Sequence, residues 1–68
     1  MTIKDMTDQF ELQGKIIVMV WDSERNNCIE RKEFDGHVYG DIAEKQILYV
    51  YPNIRNNEPE IIIEVALS

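Results

Sequence analysis

Cysteine and histidine, the residues on which most nucleophilic and metal sites depend, occur only once each in this sequence, as Cys28 and His37. A single cysteine excludes an internal disulfide and a zinc site built from several thiolates. Long apolar runs are also missing. The longest, Ile16 to Trp21, is too short to cross a membrane, and the N-terminus lacks the apolar core of a signal peptide. We therefore expect a cytoplasmic protein that needs no cofactor and keeps its thiol reduced.

Positive charge is scarce as well. The chain has seven Lys and Arg against 13 Asp and Glu, which gives a formal net charge of −6. Affinity for a nucleic-acid backbone comes mostly from Lys and Arg that neutralise phosphates, so this composition argues against direct binding of nucleic acid. An acidic surface suits a basic protein partner, and it also keeps a small protein soluble.

The short length limits how the fold is stabilised. The 68 residues predict one small domain, residues 1–68, and a chain of this size buries only about 60% of the surface that it exposes when unfolded. Hydrophobic residues make up 44% of the chain, which is ordinary for a folded domain. Without disulfides, the remaining means of stabilising so small a core are tight packing and oligomerisation.

Apolar spacing predicts a helix followed by a long strand in the first third of the chain. Residues 2–9 carry a capping-box pattern, with Thr2 at the cap and Asp5 three residues later, and predict a helix of two turns. From Phe10 the apolar period changes to two. This change predicts a strand that bends at Gly14 and continues through the long apolar run.

Three further strands and a helical turn are predicted. Mixed charge over residues 28–34 is typical of an edge strand, where it discourages pairing with another chain. Residues 47–51 form a strongly apolar strand that Pro52 is expected to end, and an apolar last strand follows near the C-terminus. Asp41 and Glu44 suggest a capping box at the start of a single helical turn.

Two segments that lie thirty residues apart are similar to each other. "VMVWDSERNN" and "LYVYPNIRNN" each run from an apolar strand into an Arg-Asn-Asn turn, and Asn tolerates the left-handed backbone that hairpin turns require. This pattern predicts two antiparallel hairpins. The predicted fold class is therefore α+β, with a short N-terminal helix and a four-stranded antiparallel β-sheet made of the two hairpins.

The predicted helix is too short to cover the predicted sheet. It shields part of one face, whereas the strands carry apolar residues on both faces. An exposed apolar patch on a small protein usually marks a contact with another chain. We therefore predict a homodimer or a higher oligomer, with Trp21, Tyr49 and Tyr51 at the contact.

Rare residues crowd into the stretch "EFDGHVYGD", residues 33–41. Asp35, His37 and Asp41 could serve as metal ligands, but their spacing matches no known metal motif. Cys28 and His37 are the components of a thiol nucleophile, yet neither a cluster of cations nor a helix N-terminus is predicted beside the thiol to activate it. The preferred interpretation of this stretch is a connector whose glycines bend the chain out of the edge strand.

Acidic residues in the middle of the chain are the predicted binding surface for a basic partner. They are Glu24, Glu30, Glu33, Asp35, Asp41 and Glu44. Grouped on one face, they would imitate the phosphate spacing of a nucleic acid and bind a basic groove in a salt-sensitive way. The alternative, from a different class of function, is a small metal-dependent nuclease or hydrolase with its carboxylates paired at an oligomer interface.

The stretch "MTIKDMTDQFELQGKIIVMVWD" and the "YVYP…IIIEVAL" finish resemble small uncharacterised proteins of Firmicute prophages and conjugative elements. The resemblance covers only part of the chain and assigns no functional residue. It implies a protein that acts on a host defence or replication machine, as small acidic anti-CRISPR proteins do. The leading hypothesis is therefore a non-enzymatic acidic protein-interaction module, for example an inhibitor of a nucleic-acid-handling host protein such as a CRISPR effector.

Overall fold

The structure, a computed structural model, describes residues 1–9 and 11–67. Its elements, in chain order, are helix α1 (Ile3–Thr7), strands β1 (Lys15–Asp22) and β2 (Asn27–Asp35), a 3₁₀ helix (Asp41–Glu44), and strands β3 (Ile47–Arg55) and β4 (Glu58–Ala66). The four strands form one sheet in the order β2-β1-β4-β3. The α+β class is therefore confirmed.

Helix α1 begins at the cap that the sequence predicts. The Thr2 hydroxyl accepts a hydrogen bond from the Asp5 backbone N–H (3.0 Å), and the Asp5 carboxylate accepts one from the Thr2 N–H (3.1 Å). The Thr2 backbone and side chain lower the pKa of Asp5, because these bonds favour the ionised carboxylate. The helix is shorter than predicted, at 5 residues, and it packs Ile3 and Met6 into the core.

Strand β1 begins at Lys15, directly after the predicted bend. Gly14 has a positive φ of 91°, and its carbonyl accepts a hydrogen bond from the Gly36 N–H (2.9 Å) just beyond β2. The predicted start of this strand, Phe10, lies outside the described residues, and residues 11–13 are not part of the sheet. The glycine therefore marks where the strand begins rather than a bend within it.

Both predicted hairpins are confirmed. β1 pairs antiparallel with β2, and β3 pairs antiparallel with β4. Asparagines occupy the left-handed turn positions, as predicted: Asn26 in the first turn (φ 55°), and Asn56 and Asn57 in the second (φ 53° and 63°). The mixed charge of β2 also indicated its position correctly, since this strand lies at one edge of the sheet.

The prediction of a fully antiparallel sheet is wrong. β1 and β4 are neighbours in the middle of the sheet and run parallel, with Ile17 beside Ile62 and Val18 beside Ile63. The two hairpins are thus joined through the strands that are apolar on both faces. Such strands are typical of the interior of a parallel or mixed sheet, where each has a neighbour on either side.

The parallel pair requires the chain to cross the sheet between β2 and β3. Residues 36–46 make this crossing on the side of α1 and bring Val38, Ile42 and Ala43 into the core. The 3₁₀ helix confirms the predicted helical turn, but the capping box predicted there is wrong. Its N-cap is Gly40 (φ 88°), and no side chain caps its first turn.

Pro52 does not end the third strand as predicted. β3 continues through it to Arg55, which pairs with Glu58 across the two-residue turn. In a hairpin with a two-residue turn the closing pair is hydrogen-bonded, and bonded and non-bonded pairs alternate along an antiparallel ladder. The Pro52–Ile61 pair is therefore of the non-bonded kind, so the missing N–H of Pro52 faces the open edge of the sheet, where proline is tolerated.

The core lies between one face of the sheet and the layer formed by α1 and the crossing segment. The sheet contributes Ile16, Val18 and Val20 from β1, and Ile63 and Val65 from β4. Within the described residues no helix covers the opposite face, and the molecule is a slab of 32 × 29 × 17 Å. Neither α1 nor the 3₁₀ helix, the helices of the described ranges, is long and apolar enough to span a membrane.

Candidate protein-interaction surfaces

The six acidic residues predicted to bind a partner are all exposed and lie in three parts of the fold. Glu24 lies in the β1–β2 turn, Glu30, Glu33 and Asp35 lie on β2, and Asp41 and Glu44 lie on the 3₁₀ helix. Their surroundings differ, and this difference decides which of them contribute to a negative surface.

Two of the β2 carboxylates are paired with cations of the same sheet. Glu33 Oε1 lies 3.7 Å from Lys15 Nζ and 3.6 Å from Arg31 Nη1, and Glu30 Oε2 lies 3.4 Å from Lys32 Nζ. Exposed pairs of this kind contribute little to stability. They do reduce the negative potential along β2, so the net acidity of the chain is concentrated elsewhere.

An open cleft of about 760 Å³ lies between α1 and residues 36–44. The ionised side chains along it are four carboxylates and one lysine: Asp8, Glu11, Asp41, Glu44 and Lys4. His37 and Tyr39 also line it, with their rings stacked and the centroids 6.2 Å apart. We call this feature the acidic cleft. An excess of negative charge of this kind attracts cations.

Sequence reasoning does not identify Asp8 and Glu11 as part of this surface. They precede Asp41 by thirty residues or more, and the fold brings them together by docking the N-terminus beside the crossing segment. The Met1 carbonyl accepts a hydrogen bond from the Ile47 N–H (2.8 Å) at that junction. The sequence does contain a signal for this surface. Asp8 and Glu11 lie at and just after the end of the predicted helix, so they place negative charge at its C-terminal end.

The residues considered for chemistry are not assembled into a site. Among the residues that the structure describes, no three His, Cys, Asp or Glu side chains are grouped as a metal ion requires. Asp35, His37 and Asp41 are therefore not brought together as ligands within one chain. Cys28 is exposed, and its thiol donates to the Glu30 carbonyl (3.2 Å).

The side of the sheet away from α1, which we call the bare face, orders its side chains in rows across the strands. From β2 to β3, the rows are Arg31, Met19, Glu64 and Tyr49; then Glu33, Ile17, Ile62 and Tyr51; then Asp35, Lys15, Glu60 and Asn53. Trp21, with Cys28 and Ala66 beside it, extends the pattern before the first row. The bare face is thus apolar in the middle and at the Trp21 end, and charged at the Lys15 end.

The three residues predicted to make an oligomer contact all belong to the bare face. Trp21 is partly exposed, and Tyr49 is 65% exposed. Tyr51 donates a hydrogen bond from its hydroxyl to Glu64 Oε2 (2.6 Å). This bond favours the protonated phenol and raises the pKa of Tyr51.

One carboxylate on the bare face is buried. Glu60 is only 5% exposed. Its Oε1 atom accepts a hydrogen bond from Asn53 Nδ2 (2.8 Å), whereas its buried Oε2 atom has no hydrogen-bond partner. Lys15 is its neighbour on β1, but the ammonium group is paired with Glu33. Since buried acceptors in folded proteins nearly always have a donor, this oxygen departs from the general pattern.

Comparisons with protein-family models, with curated proteins and with solved structures find no match for this chain. Function is therefore inferred from two surfaces of the chain itself, the acidic cleft and the bare face.

Proposed function

We propose that the protein is a non-enzymatic interaction module whose acidic cleft binds a basic surface of a partner protein. The observation that carries the proposal is the excess of carboxylates around the cleft, four against one lysine, on a chain with a net charge of −6. Complementary charge of this kind accelerates association and makes it sensitive to salt.

The same charge indicates the class of partner. Proteins that hold nucleic acid present Lys and Arg in grooves that follow the phosphates, and an acidic surface competes for those grooves. The resemblance to proteins of prophages and conjugative elements supports the same class. The most concrete version is a cytoplasmic inhibitor of a nucleic-acid-handling host protein, with a CRISPR effector as the partner.

A purified CRISPR effector from a Firmicute host is the probe for this proposal. We expect the protein to bind the effector with a Kd that rises steeply with salt, and to slow cleavage of target DNA. The double variant Asp41→Asn with Glu44→Gln removes two charges from the acidic cleft and should raise the Kd by about tenfold. Titration calorimetry at several salt concentrations measures both effects.

The matched control is the double variant Glu30→Gln with Glu33→Gln. It removes the same number of charges from β2, where cations already pair with both carboxylates, and it should leave the Kd nearly unchanged. An equal loss of affinity in the two double variants would show that binding depends only on net charge and not on the acidic cleft. Failure of the unmodified chain to bind would reject a CRISPR effector as the partner.

A further inference from the structure

We propose that the bare face is covered by the bare face of a second copy of this chain, through a two-fold axis that runs parallel to the strands between β1 and β4. Three observations carry this inference. No described helix covers the face: Ile17 and Ile62 in its middle are buried by their own neighbours, but Trp21, Tyr49 and Tyr51 around them keep apolar surface exposed. The rows of the face are complementary to themselves under that axis, and Glu60 Oε2 is buried there without a donor.

The proposed axis places each strand of one copy over a different strand of the other copy, whereas each row lies over the same row of the other copy. Seen through the interface, β1 of one copy lies over β4 of the other, and β2 lies over β3. Lys15 then faces Glu60 of the second copy, and Ile17 faces Ile62 of the second copy, as the registers dictate. Each interface contains both contacts twice, because a two-fold contact is isologous.

The Lys15–Glu60 contact supplies the missing donor. In the single chain Oε2 is enclosed by its own surroundings, so the ammonium group of the second copy reaches it once the side chains around Glu60 rearrange. Each charge then neutralises the other, as charges at an interface require. Aligned sheet packings rotate the strands by about 30° from one copy to the other. The long side chain of Lys15 accommodates the resulting shift.

Three further contacts follow from the same operator. Trp21 faces the small Ala66 of the second copy, so a large side chain meets a small one. Arg31 faces the Tyr49 ring, a favourable cation–π arrangement. Met19 faces Glu64, whose Oε2 atom keeps its hydrogen bond from the Tyr51 hydroxyl of the same chain.

The other two-fold arrangement of the same faces, with the axis across the strands, is not complementary. It reverses the rows, so that the Lys15 and Glu60 row of one copy lies over Trp21 and Ala66 of the other. Two charged groups would then be covered by apolar side chains without partners, which costs far more than the contact returns. Charge therefore selects the axis along the strands.

The size of the face agrees with a dimer. Strands about 4.8 Å apart and eight residues of about 3.3 Å each give four strands a footprint on the order of 500 Å² per copy, or about 1,000 Å² for two copies. This total reaches the lower limit of specific interfaces. Pairing through the β3 edge is a poorer solution, since Pro52 removes a donor from the middle of that edge.

A charge exchange between two variants tests the contact directly. Lys15→Glu changes the net charge from −6 to −8, and Glu60→Lys changes it from −6 to −4. Each variant alone places like charges opposite each other in its own dimer, so we expect the dimer Kd to rise by about tenfold or more. Mixed together, the two variants face each other with opposite charges at both contacts, and heterodimers should form at the Kd of the unmodified chain.

Sedimentation measures the masses, and circular dichroism verifies that each variant is folded. Lys4→Glu, on α1, is the control with the same charge change as Lys15→Glu and should dimerise normally. Because both exchange variants remain acidic, general attraction between the chains cannot produce the heterodimer. A monomeric unmodified chain at micromolar concentration, or a mixture that remains monomeric, would overturn the proposal.

A second pair of variants covers the case in which Glu60→Lys does not fold. Tyr49→Lys places a cation opposite Arg31 of the second copy at a site that is 65% exposed, so the monomer is expected to fold. It should raise the dimer Kd by about tenfold. Tyr39→Lys, on the side of α1 and 68% exposed, is the matched control, and equal behaviour of the two variants would place the contact elsewhere.

Discussion

The hydrogen bonding of individual side chains on the bare face depends on residues of the neighbouring strands. Tyr51 is bonded to Glu64 at 2.6 Å, and Glu60 keeps one oxygen bonded and one without a donor. The three aromatic residues of this face could be predicted from the sequence, because they lie on strands whose pattern places apolar residues on both faces. Glu60 could not, since its burial is produced by residues of β1 and β3 that are distant in the chain.

Tyr51 should lose its proton at a higher pH than the ordinary value of 10.0, and Glu64→Gln should lower that midpoint. The folded pKa lies above the unfolded one, so the stabilisation from this bond is present below the unfolded pKa and disappears as the pH rises through the folded pKa. Ultraviolet titration of the phenolate checks this, with Tyr51→Phe identifying the signal. Identical midpoints with and without the Glu64 carboxylate would contradict it.

The two hairpins are the elements that sequence reasoning recovers best. Their strands alternate locally and their turns end in asparagine, so the information lies within a few residues of each turn. The errors at the strand ends are also local in origin. Pro52 predicts a strand end only if the strand is internal, and the strand position depends on the whole sheet.

The β3–β4 turn gives a test of this local information. Asn57 has a φ of 63°, a conformation that a β-branched side chain adopts only at a cost of about 1–2 kcal/mol. Asn57→Val should lower the free energy of unfolding by about that amount, whereas Asn57→Gly should maintain or raise it. Asn27→Val, in the extended first position of β2, is the matched control for urea unfolding. Equal free energies of unfolding for Asn57→Val and Asn27→Val would refute the left-handed backbone conformation of Asn57.

The order of the strands is a property of the whole molecule, and sequence reasoning misses it. Two hairpins can be joined through any of their strands, and the internal similarity says nothing about which. The relevant signal was that the strands of Ile17 and Ile62 are apolar on both faces, which indicates interior positions next to each other. The acidic cleft was also not predicted, because it depends on how α1 docks beside the crossing segment.

A dimer through the bare face should make thermal stability depend on concentration. Association stabilises only the folded state, so the Tm of the unmodified chain should rise by roughly 3–5 °C for each tenfold increase in protein concentration. Lys15→Glu should show the same rise only at about tenfold higher concentrations or above, in line with its weaker dimer. Calorimetric scans at several concentrations provide the measurement, and a constant Tm for the unmodified chain would argue for a monomer.

The open edge of β3 carries the exposed apolar side chains Leu48, Val50 and Ile54. Strands of other molecules can add to such an edge one after another and form a fibril. Pro52 lies in the middle of this edge and offers no N–H to an incoming chain. A fibril that grew from β3 would therefore lack one hydrogen bond at every added copy. Pro52 thus opposes the growth of a fibril from the β3 edge.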